Sequence, residues 1–216
     1  LSQGRATCSL EPDRYVVVMG DPKRDEAAWV AAIERSGGTM WRYAGGNLLW
    51  GPFGLSAEWK DYTRFRFGTN DPPSLVREHS FALLNRSTHV VSLDDEEGFQ
   101  FEATYRLEGW GEVVANVSRG DGLVSPVLPP RRFSERFFEL HGAPARWPSV
   151  EATLFYDSNR DDFVGVPYRE IVGGQTTARL PWELSATLDL EHLEARRTPD
   201  RFADDHLAFT VQHARR

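Results

Sequence analysis

The stretch from Leu180 to His192 reads Leu-Pro-Trp-Glu-Leu-Ser-Ala-Thr-Leu-Asp-Leu-Glu-His. Its apolar and polar residues alternate one by one, which is the pattern of a β-strand with one oily face and one charged face. The same alternation recurs in residues 55–60, 99–107, 113–117, 150–156 and 207–211. A chain with so many strands closes into a barrel or stacks into a sandwich, so the predicted fold class is all-β.

Composition excludes several classes of protein. The chain has 216 residues and a net charge of −7 with no basic cluster, which argues against a nucleic-acid surface. Its single cysteine, Cys8, excludes an intrachain disulfide framework and a multi-cysteine metal site. The length suits a single domain over residues 1–216. Because the sequence starts at Leu1 and stops inside a strand-like run at Arg216, we expect a piece of a larger barrel, incomplete at both ends.

Hydropathy leaves a membrane location open. No apolar run approaches the roughly 18 residues that a spanning helix requires. A transmembrane β-strand needs only about ten residues and alternates lipid-facing with lumen-facing side chains. A membrane barrel is therefore compatible with the mean hydropathy of −0.47 found for this chain.

The lengths of the connections between strands favour a barrel. Short turns are predicted at residues 51–54, 108–111, 146–149 and 179–182, and longer polar connections at 69–97, 120–132, 159–167 and 196–205. Outer-membrane barrels alternate in this way, with short periplasmic turns and long external loops. We therefore predict an antiparallel up-and-down β-barrel of outer-membrane type, located in the outer membrane of a bacterium.

The residues near the N-terminus are ambiguous. Residues 25–35 contain four alanines that favour a helix, but Trp29, Ala31 and Ile33 also fit one face of a strand. Both interpretations stay open at this stage. Counted from Tyr15, the pattern gives about eleven strands.

The tryptophans cluster at the predicted short turns. Four of the seven lie in or beside these turns, namely Trp50, Trp110, Trp147 and Trp182. If alternate strand ends share one rim, these indoles form an aromatic belt at one membrane interface. The alternative is that each tryptophan packs against its turn in a soluble core.

A resemblance to a known family covers about a quarter of the chain. It is carried by Leu-Ser-Ala-Glu-Trp-Lys-Asp-Tyr at residues 55–62, by Asn-Asp-Pro-Pro at 70–73, by Leu-Val-Arg-Glu-His at 75–79, by Leu-Asn-Arg at 84–86, by Thr-His at 88–89 and by Gly-Phe-Gln-Phe-Glu-Ala at 98–103. These segments resemble an uncharacterised family of bacterial porin-like outer-membrane proteins. The resemblance implies membrane location and barrel form, and it implies no substrate or catalytic residue.

The connection over residues 69–97 is unusually long for a compact domain, and connections of this length often have a function. A short helix is expected after Pro72 and Pro73, with Leu75, Val76, Phe81, Leu83 and Leu84 on its buried side. Folded inward, this segment acts as a constriction or plug whose side chains set selectivity, and the candidate residues are Arg77, Glu78, His79, Arg86 and His89. The alternative is an external loop that packs on its neighbours.

The charged face of the strands predicts the lining of a pore. The candidate pore-lining residues are Glu58, Lys60, Glu102, Arg106, Glu151, Glu183, Asp189 and Glu191. Because carboxylates are the majority, we expect a modest preference for cations among small polar solutes. The partners are then the lipid bilayer and these solutes, without nucleic acid, and the oligomeric state stays open.

No catalytic or metal-binding pattern stands out. One strand does not fix a pair of carboxylates at the separation that glycoside hydrolysis needs. The six histidines show no HxH or HxxxH spacing, so no metal site and no cofactor is expected. The acidic run Asp157 to Asp162 is interpreted as a solvated loop. The chain is therefore expected to be a non-enzymatic pore or scaffold.

The alternation also fits a second class of function, a soluble protein that binds a ligand. Alternation gives a strand two faces without saying which one points inward. A soluble extracellular β-sandwich or barrel that binds a ligand such as carbohydrate through its aromatic residues has the same pattern. A buried charged face with an apolar exterior favours the membrane barrel, and a packed apolar interior favours the soluble protein.

Overall fold

The computed structural model describes residues 7–11, 14–20, 27–36, 39–63, 77, 79–86, 96–122, 131–162, 167–197 and 199–213. This part of the chain contains one helix, α1 (Ala82–Arg86), and twelve strands. The strands are β1 Thr7–Glu11, β2 Arg14–Gly20, β3 Ala27–Ser36, β4 Thr39–Trp50, β5 Phe53–Thr63, β6 Glu96–Leu107, β7 Gly111–Gly122, β8 Arg131–Gly142, β9 Val150–Asp161, β10 Tyr168–Leu180, β11 Leu184–Arg197 and β12 Asp200–His213.

The strands form one antiparallel up-and-down sheet in which each strand neighbours the next along the chain, from β1 to β12. The predicted all-β, up-and-down architecture is thereby confirmed. Within the described residues, the order of the sheet runs from β1 to β12 with no ladder between these two strands. The eleven strands from β2 to β12 match the number counted from Tyr15.

The alternating stretch from Leu180 to His192 is not one strand. β10 ends at Leu180, residues 181–183 form a turn, and β11 begins at Leu184. Pro181 has no N–H for a ladder hydrogen bond. Trp182 and Glu183 have left-handed backbone angles, with φ values of 62° and 58°. Glu183 therefore belongs to a hairpin turn. The prediction that it lies on the charged face of a strand is wrong.

The predicted sorting of connections by length holds only in part. The hairpins after β4, β6 and β10 are short, and long connections follow β5 and β7. The connection after β8, predicted to be a short turn, covers residues 143–149, and the connection after β9, predicted to be long, covers only residues 162–167. However, β11 runs to Arg197 and β12 starts at Asp200, so the long loop predicted over residues 196–205 is wrong. Arg196 and Arg201 are register partners in the ladder of β11 and β12, and this ladder satisfies the backbone N–H and C=O groups that a loop would expose to water.

Residues 27–36 form a strand and not a helix. β3 pairs with β2 on one side and with β4 on the other. The two ladders satisfy its backbone groups, and this tertiary context overrides the helix propensity of the alanines.

The chain divides into two compact units. Unit 1 comprises residues 1–77, 89–103 and 117–134, and unit 2 comprises residues 78–88, 104–116 and 135–216. The single domain over residues 1–216 stays a prediction.

Helix α1 is held in unit 2 by packing. Its five residues close one turn, in which the Asn85 N–H donates to the carbonyl of Phe81 over 2.9 Å. So short a helix is not stable alone in water. Leu83 and Leu84 are buried with Phe81 in one apolar cluster that also contains Phe137, Phe155, Ile171, Leu193 and Ala195. The predicted burial of Phe81, Leu83 and Leu84 is confirmed, and Leu75 and Val76 lie outside the described residues.

Candidate functional site

In unit 1, charged side chains are buried against one face of the sheet. The Lys60 ammonium lies 3.0 Å from the Glu96 carboxylate, and both side chains are almost fully buried. Arg77 pairs with Glu102 on the same face. The opposite face of these strands carries exposed apolar residues such as Leu55 and Phe101. In this unit, therefore, one face of the sheet buries charged side chains, and the other face exposes apolar side chains.

Unit 2 shows the same inversion along β9. Phe155, Asp157, Asn159 and Asp161 are buried, and Leu154, which lies on the other face, is 60% exposed. Charged residues are almost never fully buried in soluble proteins unless they are paired. We call the face of unit 2 that carries Asp157 the polar face, and the face that carries Leu154 the apolar face.

A hydrogen-bonded network joins the buried groups of the polar face. The Asn159 amide donates to Asp157 over 3.2 Å, and the Arg169 guanidinium donates to the Asn159 carbonyl oxygen over 3.2 Å. Arg169 also lies 3.8 Å from Asp161. Glu135 is a further buried carboxylate, so acidic groups outnumber the arginine in this network.

The segment around α1 is anchored to the polar face by polar contacts. The amide N–H groups of Ala82 and Leu83 each donate to the Glu191 carboxylate over 2.8 Å. His79 Nε2 lies 3.4 Å from Glu135, and both side chains are buried. The carboxylate of Glu191 thereby accepts the first free amides of the helix, which have no partner within the helix itself.

An aromatic contact completes this attachment. The rings of Phe81 and Phe155 lie 4.1 Å apart between centroids, and His79 lies 4.6 Å from Phe137. The segment from His79 to Arg86 therefore packs on the polar face of β8, β9 and β11. The ring contacts hold the segment on the sheet by apolar packing. The hydrogen bonds to Glu191 and the contact with Glu135 fix the position of the segment.

The apolar face of unit 2 is exposed over several strands. The pattern repeats in β8, β9, β10, β11 and β12, and the exposed residues are Phe138, Leu154, Tyr156, Val172, Leu188, Leu190, Leu207, Phe209 and Val211. Soluble monomers rarely expose so extended an apolar surface. On β11, Leu188 is exposed on this face, and Leu184 and Ala186 are half-buried.

Seven of the eight candidate pore-lining residues lie on the same face of their strand as the buried polar residues. Lys60 and Glu191 are buried, Glu58, Glu102 and Asp189 are half-buried, and Arg106 and Glu151 are exposed. Glu183 lies exposed in its turn. That these residues line a pore stays a prediction.

Three of the five candidate constriction residues are described. Arg77 is paired with Glu102, His79 with Glu135, and the exposed Arg86 lies 3.4 Å from Asp204. Glu78 and His89 lie outside the described residues. The structure thus places His79 and α1 on the polar face of unit 2, and the constriction role stays a prediction.

All four tryptophans of the predicted belt lie at hairpin turns and are exposed. Trp50 ends β4 in unit 1, and Trp110, Trp147 and Trp182 lie in three turns of unit 2. The exposed fraction reaches 83% for Trp182, so these indoles do not pack in a protein core. Their position at a membrane interface stays a prediction.

Sequence reasoning missed the buried acidic groups of β9. The run Asp157 to Asp162 was interpreted as a solvated loop, but β9 extends to Asp161 and buries Asp157, Asn159 and Asp161. The interpretation rests on the rule that acidic residues face solvent. It fails here because this strand buries its polar side chains. All residues from Asp157 to Asp161 are polar, so the apolar–polar alternation that identifies a strand gives no signal there.

A second missed grouping joins two strands. Asp189, Glu191 and His206 bring one ligand atom each within 4.8 Å of one another. No spacing rule finds this group, because His206 meets Glu191 through the antiparallel register of β11 and β12.

Comparisons with known proteins find no similar protein. No family model, no curated protein and no solved structure matches the chain. The resemblance to porin-like proteins therefore stays a prediction. No helix in the described part of the chain is long and apolar enough to span a membrane.

Proposed function

We propose that the chain belongs to a β-barrel of a bacterial outer membrane, which forms a porin-like pore or scaffold for small polar solutes and carries out no catalysis. The observation that carries this proposal is the inverted polarity of the strands. Asp157 is fully buried and its neighbour Tyr156 is 43% exposed. In a membrane barrel the apolar side chains face lipid and the polar side chains face the lumen.

The anchored helix supports a constricted pore. α1 lies on the face that carries Glu135 and Asp157, which is the lumen side in this proposal. Loops that fold into a barrel narrow it and place charges in the path of solutes. The segment from His79 to Arg86 is then the constriction or plug.

Trp182 offers a direct test of the membrane location. We expect a variant that keeps Trp182 and has phenylalanine at every other tryptophan to be quenched most by lipids brominated near the headgroup, because an exposed indole at a turn prefers the interface. The measurement is depth-dependent fluorescence quenching in vesicles. A matched variant that keeps only Trp147 should give the same depth profile. Absence of quenching at every depth would favour a soluble sandwich or barrel that binds a ligand.

The charge of the polar face predicts a modest cation preference. Lys60 and Arg77 are already paired with carboxylates, and Glu58 adds a further acidic group on the same face. We expect the reversal potential of the full-length protein in planar bilayers under a salt gradient to indicate cations. The preference should weaken with salt, because charges are screened beyond about 10 Å at 0.1 M.

Two variants separate this prediction from a general charge effect. Glu58→Gln should reduce the cation preference, and Glu194→Gln, an exposed position on the apolar-face side of β11, should leave it unchanged. A preference for anions in the unmodified protein would contradict the assignment of the polar face to the lumen. Absence of conductance would favour a plugged or scaffolding barrel.

A further inference from the structure

Three potential metal ligands meet on the polar face of unit 2. Asp189 and Glu191 occupy alternate positions of β11, so both side chains point to the same face. His206 lies directly opposite Glu191 in the register of β11 and β12. One ligand atom of each residue lies within 4.8 Å of the other two, which is a separation that a single bound ion can bridge.

An unsatisfied oxygen lies in this group. Asp189 Oδ1 is shielded from solvent and has no hydrogen-bond partner. A buried carboxylate oxygen without a donor is energetically costly, and native structures rarely leave one in that state. A cation bound through this oxygen would satisfy it. This observation is independent of the spacing of the three residues.

The buried Glu191 retains capacity for an ion. Its side chain is 4% exposed, and each of its two oxygens accepts one amide N–H, from Ala82 and from Leu83. A carboxylate oxygen has two lone pairs. Each oxygen can therefore hold an amide of α1 and still face a cation beside Asp189 and His206.

We propose that Asp189, Glu191 and His206 bind one divalent metal ion of the zinc type. Two carboxylates and one imidazole form a mixed oxygen and nitrogen set, which suits Zn²⁺. Ca²⁺ and Mg²⁺ prefer oxygen ligands alone, so the histidine disfavours them. Three protein ligands leave the fourth tetrahedral position to water or to a ligand.

The bound ion would couple the site to α1. Because Glu191 is both a ligand and the acceptor of the first helix amides, an ion that fixes this carboxylate also fixes the position of Ala82 and Leu83. The metal then strengthens the attachment of the helix to β11. The site depends on local geometry alone, so it stands or fails independently of the membrane proposal.

The test is calorimetric titration of the refolded full-length protein with Zn²⁺, and separately with Ca²⁺. We expect one Zn²⁺ site per chain and weaker binding of Ca²⁺. Loss of an outer-shell partner already costs about 10- to 100-fold in metal affinity, so Asp189→Asn and His206→Gln should each cost at least as much. His213→Gln, an exposed position at the end of β12, is the matched control and should bind normally.

Hydrogen exchange provides a second measurement. Zn²⁺ should slow exchange of the Ala82 and Leu83 amides in the unmodified protein and not in His206→Gln. Unchanged circular dichroism of the two ligand variants shows that they fold, and Glu191 is left intact because it also holds the helix. Absence of Zn²⁺ binding by the unmodified protein, or ligand variants that bind Zn²⁺ as tightly as the unmodified protein does, would overturn the proposal.

Discussion

Replacing Leu188 by arginine is expected to lower the free energy of unfolding in a lipid bilayer by about 2 to 4 kcal/mol, which is the cost of an arginine on the lipid face near the bilayer midplane. Leu188 is 40% exposed on the apolar face, and its cross-strand partner Phe209 is 68% exposed. In the proposed membrane location, an arginine there would lie in lipid, on the face opposite to the carboxylates of the polar face. Urea titration of the protein refolded into vesicles measures the loss.

The neighbouring residue provides the control. Thr187 lies on the opposite face of β11, where its hydroxyl is 2.9 Å from that of Thr177. Thr187→Arg therefore loses one hydrogen bond, worth about 1 kcal/mol, and puts the charge on the side that already carries charges. Leu188→Ala separates loss of the side chain from introduction of the charge. Equal stability of the two arginine variants would contradict a lipid-facing surface.

Much of the strand architecture could be predicted from the alternation of residues. The period of two assigns Leu188 to one face and Asp189 and Glu191 to the other, because successive side chains of a strand point in opposite directions. It also fails in an instructive way. The alternation continues through Pro181 to Glu183, although this segment is a turn, since a hairpin of suitable length preserves the pattern of its two strands.

The buried groups were harder to predict. Acidic residues in a row suggest solvent, and only the structure shows that Asp157 and Asp161 are buried beside Arg169. The meeting of Glu191 and His206 depends on the register of two strands and on where β12 begins. Register follows from the whole ladder and not from any short motif.

The helix was predicted in part. Phe81, Leu83 and Leu84 are predicted on the buried side of this segment, and all three are buried. Its anchors could not be read in the same way. Glu191 and Glu135 come from strands far along the chain, so the contacts that position α1 are tertiary.

The buried pair of Lys60 and Glu96 gives the second large expected effect. Its two charged atoms lie 3.0 Å apart with side chains 1% and 3% exposed, and Glu96 lies against the backbone of Gly120. Lys60→Met leaves the carboxylate buried without this partner, which costs about 3 to 5 kcal/mol in free energy of unfolding. Replacing both residues, as Lys60→Met with Glu96→Gln, should restore most of the loss. Chemical denaturation of the four proteins in a double-mutant cycle measures the coupling.

An exposed pair of the same unit is the matched control. Arg119 and Asp121 lie 3.4 Å apart with side chains 51% and 39% exposed, so Arg119→Met should cost about 0 to 1 kcal/mol. The difference between the two pairs measures how far water reaches the charged face of unit 1. A large cost at Lys60 indicates that this pair is shielded from water by the side chains around it. A cost below about 1 kcal/mol would contradict the burial of the pair.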